Sequence, residues 1–153
     1  MKYAHSIKLS VFSYEPENIE PVLEAFLKLF PFNLEENKVV LNKTNAHGFN
    51  EKKIIILEVT LNKTNLVNQF LDYLLGNLDE NQKDTLIEQA ESRLDQNLYF
   101  FIRFDMDSWI NEKKLLLTDS GKCLHIRMSI AAFPKKREIA LNIVKELFQK
   151  MKL

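Results

Sequence analysis

The sequence predicts an α+β fold, with one mixed, mainly antiparallel β-sheet and helices packed on one of its faces. Two observations predict it. Short segments alternate apolar and polar side chains, which is the period of a half-buried strand, while other segments repeat apolar residues at the 3.6-residue period of a helix. The strand patterns follow one another as hairpins, and the helical patterns are segregated from them, which favours a single helical layer on an antiparallel sheet.

The strand pattern begins near the start of the chain, over residues 4–12. Ile7, Leu9 and Val11 share one face of this strand, and His5 is expected on the same inward face as a core histidine. Further strands are predicted over residues 38–42, 53–61, 98–104, 114–118 and 123–131. Residues 53–61 are apolar on both faces at their start, so this strand is expected to lie inside the sheet.

The later strands also assign core positions by alternation. The inward residues are expected to be Leu98, Phe100, Ile102 and Phe104 in one strand, and Leu124, Ile126, Met128 and Ile130 in the other. Residues 45–50, which include Gly48, are predicted to form a turn or flexible loop.

Helices are predicted where apolar residues recur at helical spacing. The first spans residues 19–30, with Pro21 in its first turn, and Pro31 ends it. Thr64 or Asn65 is expected to cap a second helix that Gly76 ends. Asp79 has capping-box spacing to Gln82 and is predicted to open a third helix that extends to about Leu94. Two further helices are predicted to begin near Ser108 and at Pro134. The expected core stripe of the last helix is Ile139, Ile143, Val144, Leu147 and Met151.

Length and composition predict one globular domain over residues 1–153. The chain is 46% apolar and 27% charged, which are the proportions of a folded protein. No apolar run is long enough for a membrane span, and the first residues lack the apolar core of a signal peptide, so we expect a cytoplasmic protein without a membrane partner. The single cysteine, Cys123, excludes an internal disulfide and fits a reducing compartment.

Charge is balanced overall but unevenly distributed. The 21 basic and 21 acidic residues argue against an indiscriminate polyanion binder. Residues 77–112 hold three basic and nine acidic residues, a net charge of −6, whereas residues 113–153 hold ten basic and three acidic residues, a net charge of +7. The last quarter of the chain is therefore a basic segment on a neutral to acidic body.

The most informative local feature is a cluster of three cations, Lys135, Lys136 and Arg137, directly after Pro134. We expect them in the first turn of the last helix, where free N–H groups and the helix dipole already make the surroundings positive. An anion docked there would bring backbone donors and basic side chains together. The alternative is that the lysines extend into water and the dipole cost is small.

A second group of candidate binding residues lies on the preceding strands. Lys122, His125 and Arg127 belong to the strand region before the cluster, and Arg103 alternates outward with Tyr99 and Phe101. If the two strands are neighbours, aromatic rings and cations share a face that suits single-stranded RNA, by stacking and phosphate contact. In the alternative, a helix covers Tyr99 and Phe101, and Arg103 pairs with an acidic residue. For the two aromatic side chains we favour this alternative.

Residues for catalysis are not apparent. Asp105 and Asp107 have the spacing of two metal ligands, but capping of the short helix near Trp109 explains them better. The three histidines lie on separate elements, and Cys123 has neither a neighbouring His nor a CxxC partner. No glycine-rich phosphate loop, GxSxG or HExxH is present. We therefore expect no enzyme, no metal and no cofactor.

Three stretches together resemble an archaeal family described as predicted RNA-binding, exosome-associated proteins with a fold like that of ribosomal protein L-five. They are Ala46-His47-Gly48-Phe49-Asn50, the aromatic strand from Leu98 to Asp105, and Ala132-Phe133-Pro134-Lys135-Lys136-Arg137-Glu138. The opening His5-Ser6-Ile7 is also similar. The resemblance covers about residues 5–148 and implies RNA binding, a ribosomal-protein-L-five-like fold and protein partners in an RNA-processing complex.

The chain departs from the family pattern at two places. Met106 and Asp107 stand where the family carries Lys-Gln, and Ala46 and His47 stand where a glycine and an aromatic residue are expected. The departures imply a diverged member with weakened RNA affinity or a different target. Two functions therefore remain open. The first is a non-catalytic accessory protein that binds structured or single-stranded RNA, and the second is a protein-interaction scaffold without direct RNA binding.

Overall fold

The α+β class is confirmed by the structure, a computed structural model that describes residues 2–14, 17–47 and 52–150. Within these residues the strands are β1 (Ala4–Tyr14), β2 (Asn42–His47), β3 (Lys53–Leu61), β4 (Tyr99–Asp105) and β5 (Cys123–Ile130). The helices are α1 (Ile19–Leu27), α2 (Thr64–Gly76), α3 (Glu80–Glu88), α4 (Ala90–Arg93), α5 (Met106–Glu112) and α6 (Arg137–Gln149). None of the described helices is long and apolar enough to cross a membrane.

The strands form one five-stranded antiparallel sheet in the order β2-β3-β1-β5-β4. The bounds of β3 agree with the prediction, and its position between two neighbours confirms that it is an interior strand. The edge strand β2 pairs with β3 in a register that places Asn42 opposite Glu58 and His47 opposite Lys53. The strand predicted over residues 38–42 is therefore wrong, because the pairing begins where that prediction ends.

The core positions of the strands agree with alternation almost throughout. Ile7, Leu9 and Val11 are fully buried, and the four inward residues predicted for β5 are buried as well. His5 is the exception, because it is exposed while Ala4 takes the buried position, so the alternation does not extend back from Ile7. The prediction of a core histidine at position 5 is wrong.

Local capping interactions set several helix ends. Asn18 caps α1, and Asp79 and Gln82 form the predicted capping box of α3. The helix predicted to continue to Leu94 is interrupted at Gln89, whose ψ of 9° leaves the helical region and divides α3 from α4. Residues 114–118 form only an isolated bridge between Leu117 and Phe104 in place of the predicted strand.

Contacts group the chain into two compact units. Unit 1 comprises Met1–Ile7, Leu61–Ile102 and Arg127–Leu153, and unit 2 comprises Lys8–Thr60 and Arg103–Ile126. In unit 1, α6 packs against α3 and α4, and the rings of Phe148 and Phe100 lie 6.0 Å apart. In unit 2, α1 packs against α5. The prediction of one domain over the whole chain stays a prediction.

The predicted stripe of α6 is confirmed at its centre. Ile143, Val144 and Leu147 are buried, together with Ala140 and Phe148, whereas Ile139 is only half-buried. Met151, which was expected to continue the stripe, lies outside the described residues.

Candidate nucleic-acid interface

The segment that joins β5 to α6 exposes apolar and basic side chains in unit 1. Phe133 is 95% exposed, and Lys135 and Lys136 are also exposed. Helix α6 begins at Arg137, and Lys136 is its N-cap residue in an extended conformation, with φ of −128° and ψ of 143°. The prediction that all three cations lie in the first helical turn is therefore wrong for the two lysines, which precede the helix.

The three cations differ in their partners. Neither Lys135 nor Lys136 has an ion-pair partner among the described residues. The Arg137 guanidinium, in contrast, donates to the backbone oxygens of Glu91 at 2.6 Å, Leu94 at 3.0 Å and Asp95 at 3.3 Å, and to the Glu91 carboxylate at 3.2 Å. The Glu91 and Leu94 carbonyls lie at the end of α4, where a helix leaves its last carbonyl groups without partners of its own. The Asp95 carbonyl follows α4 and also accepts from the Leu98 N–H at 3.1 Å. The two lysines are available to an external anion, and Arg137 holds their segment against α4.

Replacing Arg137 by alanine is expected to lower the free energy of unfolding by about 1–2 kcal/mol. Hydrogen bonds from a charged donor contribute about 1.5–3 kcal/mol, and the partial exposure of the guanidinium reduces this. Chemical denaturation with the Lys136→Ala variant as the matched control measures the effect. Equal stability of the two variants would contradict the bracing role of Arg137.

Tyr99 and Arg127 come together on β4 and β5. The Arg127 guanidinium carbon lies 4.5 Å from the centre of the Tyr99 ring, within cation–π distance. Both residues are half-buried, and Phe101, two positions along β4, is 42% exposed. The expectation that a helix covers these two aromatic rings is wrong for Phe101, which is exposed, and Arg127 lies over the Tyr99 ring. Aromatic and cationic groups therefore share this surface of unit 1.

A cavity of about 390 Å³ opens in the same unit. Its lining residues come from four places in the chain: His5, Asn97, Tyr99, Ser129, Ile130, Ala132 and Lys135. The cavity thus connects the Tyr99 surface with the lysine segment that precedes α6.

The remaining predicted cations belong to unit 2. Lys122 forms ion pairs with Glu17 and, at 3.4 Å, with Asp107, and burial lowers the pKa of its ammonium group. The Arg103 guanidinium donates to the Asp119 backbone oxygen at 3.4 Å and is exposed. Lys122 is therefore neutralised by neighbouring carboxylates, whereas Arg103 has no carboxylate partner among the described residues.

His125 also lies in unit 2 and is half-buried. Its ring lies 5.6 Å from the Phe12 ring, measured between centroids. Burial, followed by the charge of Arg103, lowers the pKa of the imidazole below its ordinary value. At neutral pH the side chain therefore offers a stacking surface and hydrogen bonds, but little charge for a phosphate.

The two aspartates considered as metal ligands have structural roles. One carboxylate oxygen of Asp105 accepts from the Ser108 N–H at 3.0 Å and from the Ser108 hydroxyl at 2.6 Å, which confirms the predicted cap of α5. Asp107 pairs with Lys122. The described part of the chain contains no group of three or more His, Cys, Asp or Glu side chains able to hold a metal ion.

Several candidate residues were not identified from the sequence. The sequence marks Phe133 only through its place in the segment from Ala132 to Glu138, which resembles the family pattern. Asn97, Ser129 and His5 carry no such indication, because the cavity that joins them is formed by segments far apart in the chain.

The chain is similar to known archaeal proteins. The chain is 29% identical over 144 residues to the RNA-binding protein PAB1135 of Pyrococcus abyssi, covering 94% of this chain and 92% of that relative. It resembles the solved structure of protein AF2318 from Archaeoglobus fulgidus with a TM-score of 0.83 and 26% identity, covering 94% of this chain and 99% of the other.

Another solved structure shares the fold. Mth689 from Methanothermobacter thermautotrophicus matches with a TM-score of 0.75 at 22% identity, covering 95% of this chain and 98% of the other. Both structures are described as DUF54 proteins. A sequence family described as RNA binding matches residues 6–130 of this chain, which is more than half of the sequence. The chain therefore belongs to this RNA-binding family.

Proposed function

We propose that the protein is a non-catalytic RNA-binding protein that contacts RNA through the segment from Phe133 to Lys136. One observation carries the proposal: an aromatic ring that is 95% exposed is followed within three residues by two lysines without ion-pair partners among the described residues. A large ring held in water gains from a stacking partner, and the lysines gain from an anion. Single-stranded RNA supplies both, as bases and as phosphates.

The surrounding surface supports the same ligand. Tyr99 with Arg127 adds a second aromatic and cationic pair in unit 1, and Phe101 adds a further exposed ring. The zero net charge of the chain argues for modest affinity and a limited footprint, because only local cations attract the phosphates. The name of the Pyrococcus abyssi relative, which describes it as RNA-binding, agrees with the proposal.

The finer role that we propose is that of a cytoplasmic accessory protein in exosome-type RNA processing, with protein partners in that complex. Its support is the resemblance of the segment from Ala132 to Glu138 to the exosome-associated family. Crosslinking in cells, followed by identification of the recovered RNA and protein, tests this role. Recovery of RNA without any RNA-processing protein would contradict the association and leave RNA binding intact.

Replacing Lys136 by alanine is expected to weaken the binding of all RNA sequences alike and to reduce the salt dependence of binding. Loss of one phosphate contact lowers the slope of log K against log salt concentration by about 0.7 for a single strand. Fluorescence anisotropy of a labelled single-stranded RNA, repeated over a salt series, measures this slope. Stability is expected to remain unchanged, since the side chain is exposed.

Lys145→Ala is the matched control, because Lys145 is an exposed lysine of α6 in the same unit and does not line the cavity. It removes the same charge and is expected to leave the slope nearly unchanged. If both variants reduce affinity equally, only total charge matters and the segment is not a binding site. If the Lys135→Ala, Lys136→Ala and Arg137→Ala triple variant binds RNA as well as the parent does, the protein-interaction scaffold replaces RNA binding as the best account.

A further inference from the structure

The cavity of unit 1 has the size of a small-ligand site, and most of its lining residues are polar. Its volume of about 390 Å³ lies in the range of roughly 300–1,000 Å³ that small-molecule sites occupy. Five of its seven lining residues carry polar side-chain groups, namely the imidazole of His5, the amide of Asn97, the phenol of Tyr99, the hydroxyl of Ser129 and the ammonium of Lys135. No Asp or Glu is among these lining residues, so an anionic ligand meets no direct repulsion from the walls.

One wall of the cavity is held in place by its own backbone. The Asp95 carboxylate accepts from the N–H groups of Asn97 at 2.8 Å and of Tyr99 at 2.9 Å. Between them, Leu98 adopts a left-handed conformation with φ of 66°, which a branched side chain rarely takes, and its carbonyl accepts from the Ile130 N–H at 3.1 Å. Asn97 and Tyr99 are therefore presented by a loop whose shape is fixed before any ligand arrives.

The segment that carries Lys135 is joined to the Asn97 loop by hydrogen bonds. The Arg137 guanidinium bonds to the Leu94 and Asp95 carbonyls, directly before the Asn97 loop, and Arg137 lies two residues after Lys135. The backbone segments that carry Lys135 and Asn97 are thus joined by one set of hydrogen bonds. A site with preformed walls binds its ligand at a lower cost in conformational entropy than one that must be ordered.

We infer that this cavity is a subsite for one unpaired ribonucleotide, with the phosphate at Lys135 and the base against Asn97 and Tyr99. An amide offers a donor and an acceptor to the edge of a base, and the hydroxyl of Tyr99 offers a further hydrogen-bonding group beside it. A base paired within a duplex cannot enter such a cavity, so the protein selects single-stranded or bulged RNA. This inference rests on the proposed RNA binding and specifies the form of RNA that is bound.

The test uses the full chain, the four ribonucleoside 5′-monophosphates and inorganic phosphate as separate NMR titrants. The nucleotides are expected to shift the amide resonances of Asn97, Tyr99 and Ser129, whereas phosphate alone is expected to affect only the region of Lys135. In anisotropy measurements, Asn97→Ala is expected to lower the affinity for single-stranded RNA about fivefold, which is the effect of losing one neutral hydrogen bond. Ser129→Met is expected to lower the same affinity because the larger side chain fills the cavity.

Asn142→Ala, at an exposed position of α6, is the matched control and is expected to leave affinity unchanged. Thermal midpoints equal to that of the parent show that the cavity, and not the fold, has changed. If Asn97→Ala and Ser129→Met bind RNA like the parent while Lys136→Ala weakens it, the subsite is refuted and RNA binding stands. If nucleotides bind the cavity but no RNA binds, the proposed function fails and the cavity is a nucleotide site; if neither binds, both are refuted. Equal affinity for a duplex would also refute the selection of unpaired RNA.

Discussion

Replacing Leu147 by alanine is expected to lower the free energy of unfolding by about 2–5 kcal/mol. The side chain is 1% exposed on the buried face of α6, which packs against α3 and α4, so its truncation leaves a cavity that the surrounding helices fill only in part. Denaturant unfolding, in which the midpoint falls while the slope stays constant, measures the loss.

The matched control is Gln149→Ala, two residues along the same helix at an exposed position. It is expected to change stability by less than about 0.5 kcal/mol, as surface substitutions usually do. A similarly small loss for Leu147→Ala would show that the stripe of α6 does not form the core of unit 1.

Replacing Phe133 by alanine is expected to weaken single-stranded RNA binding by about 5- to 150-fold. Stacking of one base on an aromatic side chain contributes about 1–3 kcal/mol, which corresponds to that range of affinity. Because the ring is 95% exposed, its removal leaves no cavity, and the free energy of unfolding is expected to stay the same. The measurement is anisotropy with a labelled RNA, together with a denaturation curve of each variant.

Two further substitutions separate stacking from general hydrophobic contact. Phe133→Tyr keeps the ring and is expected to bind like the parent, whereas Phe133→Leu keeps apolar area without a ring and is expected to bind like the alanine variant. Full affinity in Phe133→Leu would contradict base stacking. Full affinity in Phe133→Ala would remove Phe133 from the interface.

Much of the fold follows from the sequence where hydrophobic pattern and local hydrogen bonds agree. The strand β3 is marked by a run of isoleucines, and the capping box at Asp79 needs only residues three apart. The strand β2 is different, because its side chains are almost all exposed and it exists through backbone pairing with β3. No periodicity of its own distinguishes it from a loop. The break at Gln89 is similarly unmarked by glycine or proline.

In the candidate interface, too, some features follow from the local sequence and others depend on tertiary contacts. The local sequence alone predicts the lysines at positions 135 and 136 as candidates, although both precede α6 and do not lie in its first turn. The role of Arg137 was not accessible in that way, since its hydrogen-bond partners lie 42 to 46 residues away. The exposure of Phe101 likewise depends on which elements pack beside β4, and alternation within the strand does not specify this.

The single tryptophan of the chain gives unit 2 a spectroscopic label of its own. Trp109 is buried, and its indole N–H donates to the Ala25 carbonyl of α1 at 2.8 Å. Its emission therefore reports the integrity of unit 2, whereas α2, α3, α4 and α6, which dominate the helical circular dichroism, belong to unit 1. Superimposed fluorescence and dichroism curves would identify a single cooperative transition, and separated curves would resolve two folding units without any added dye.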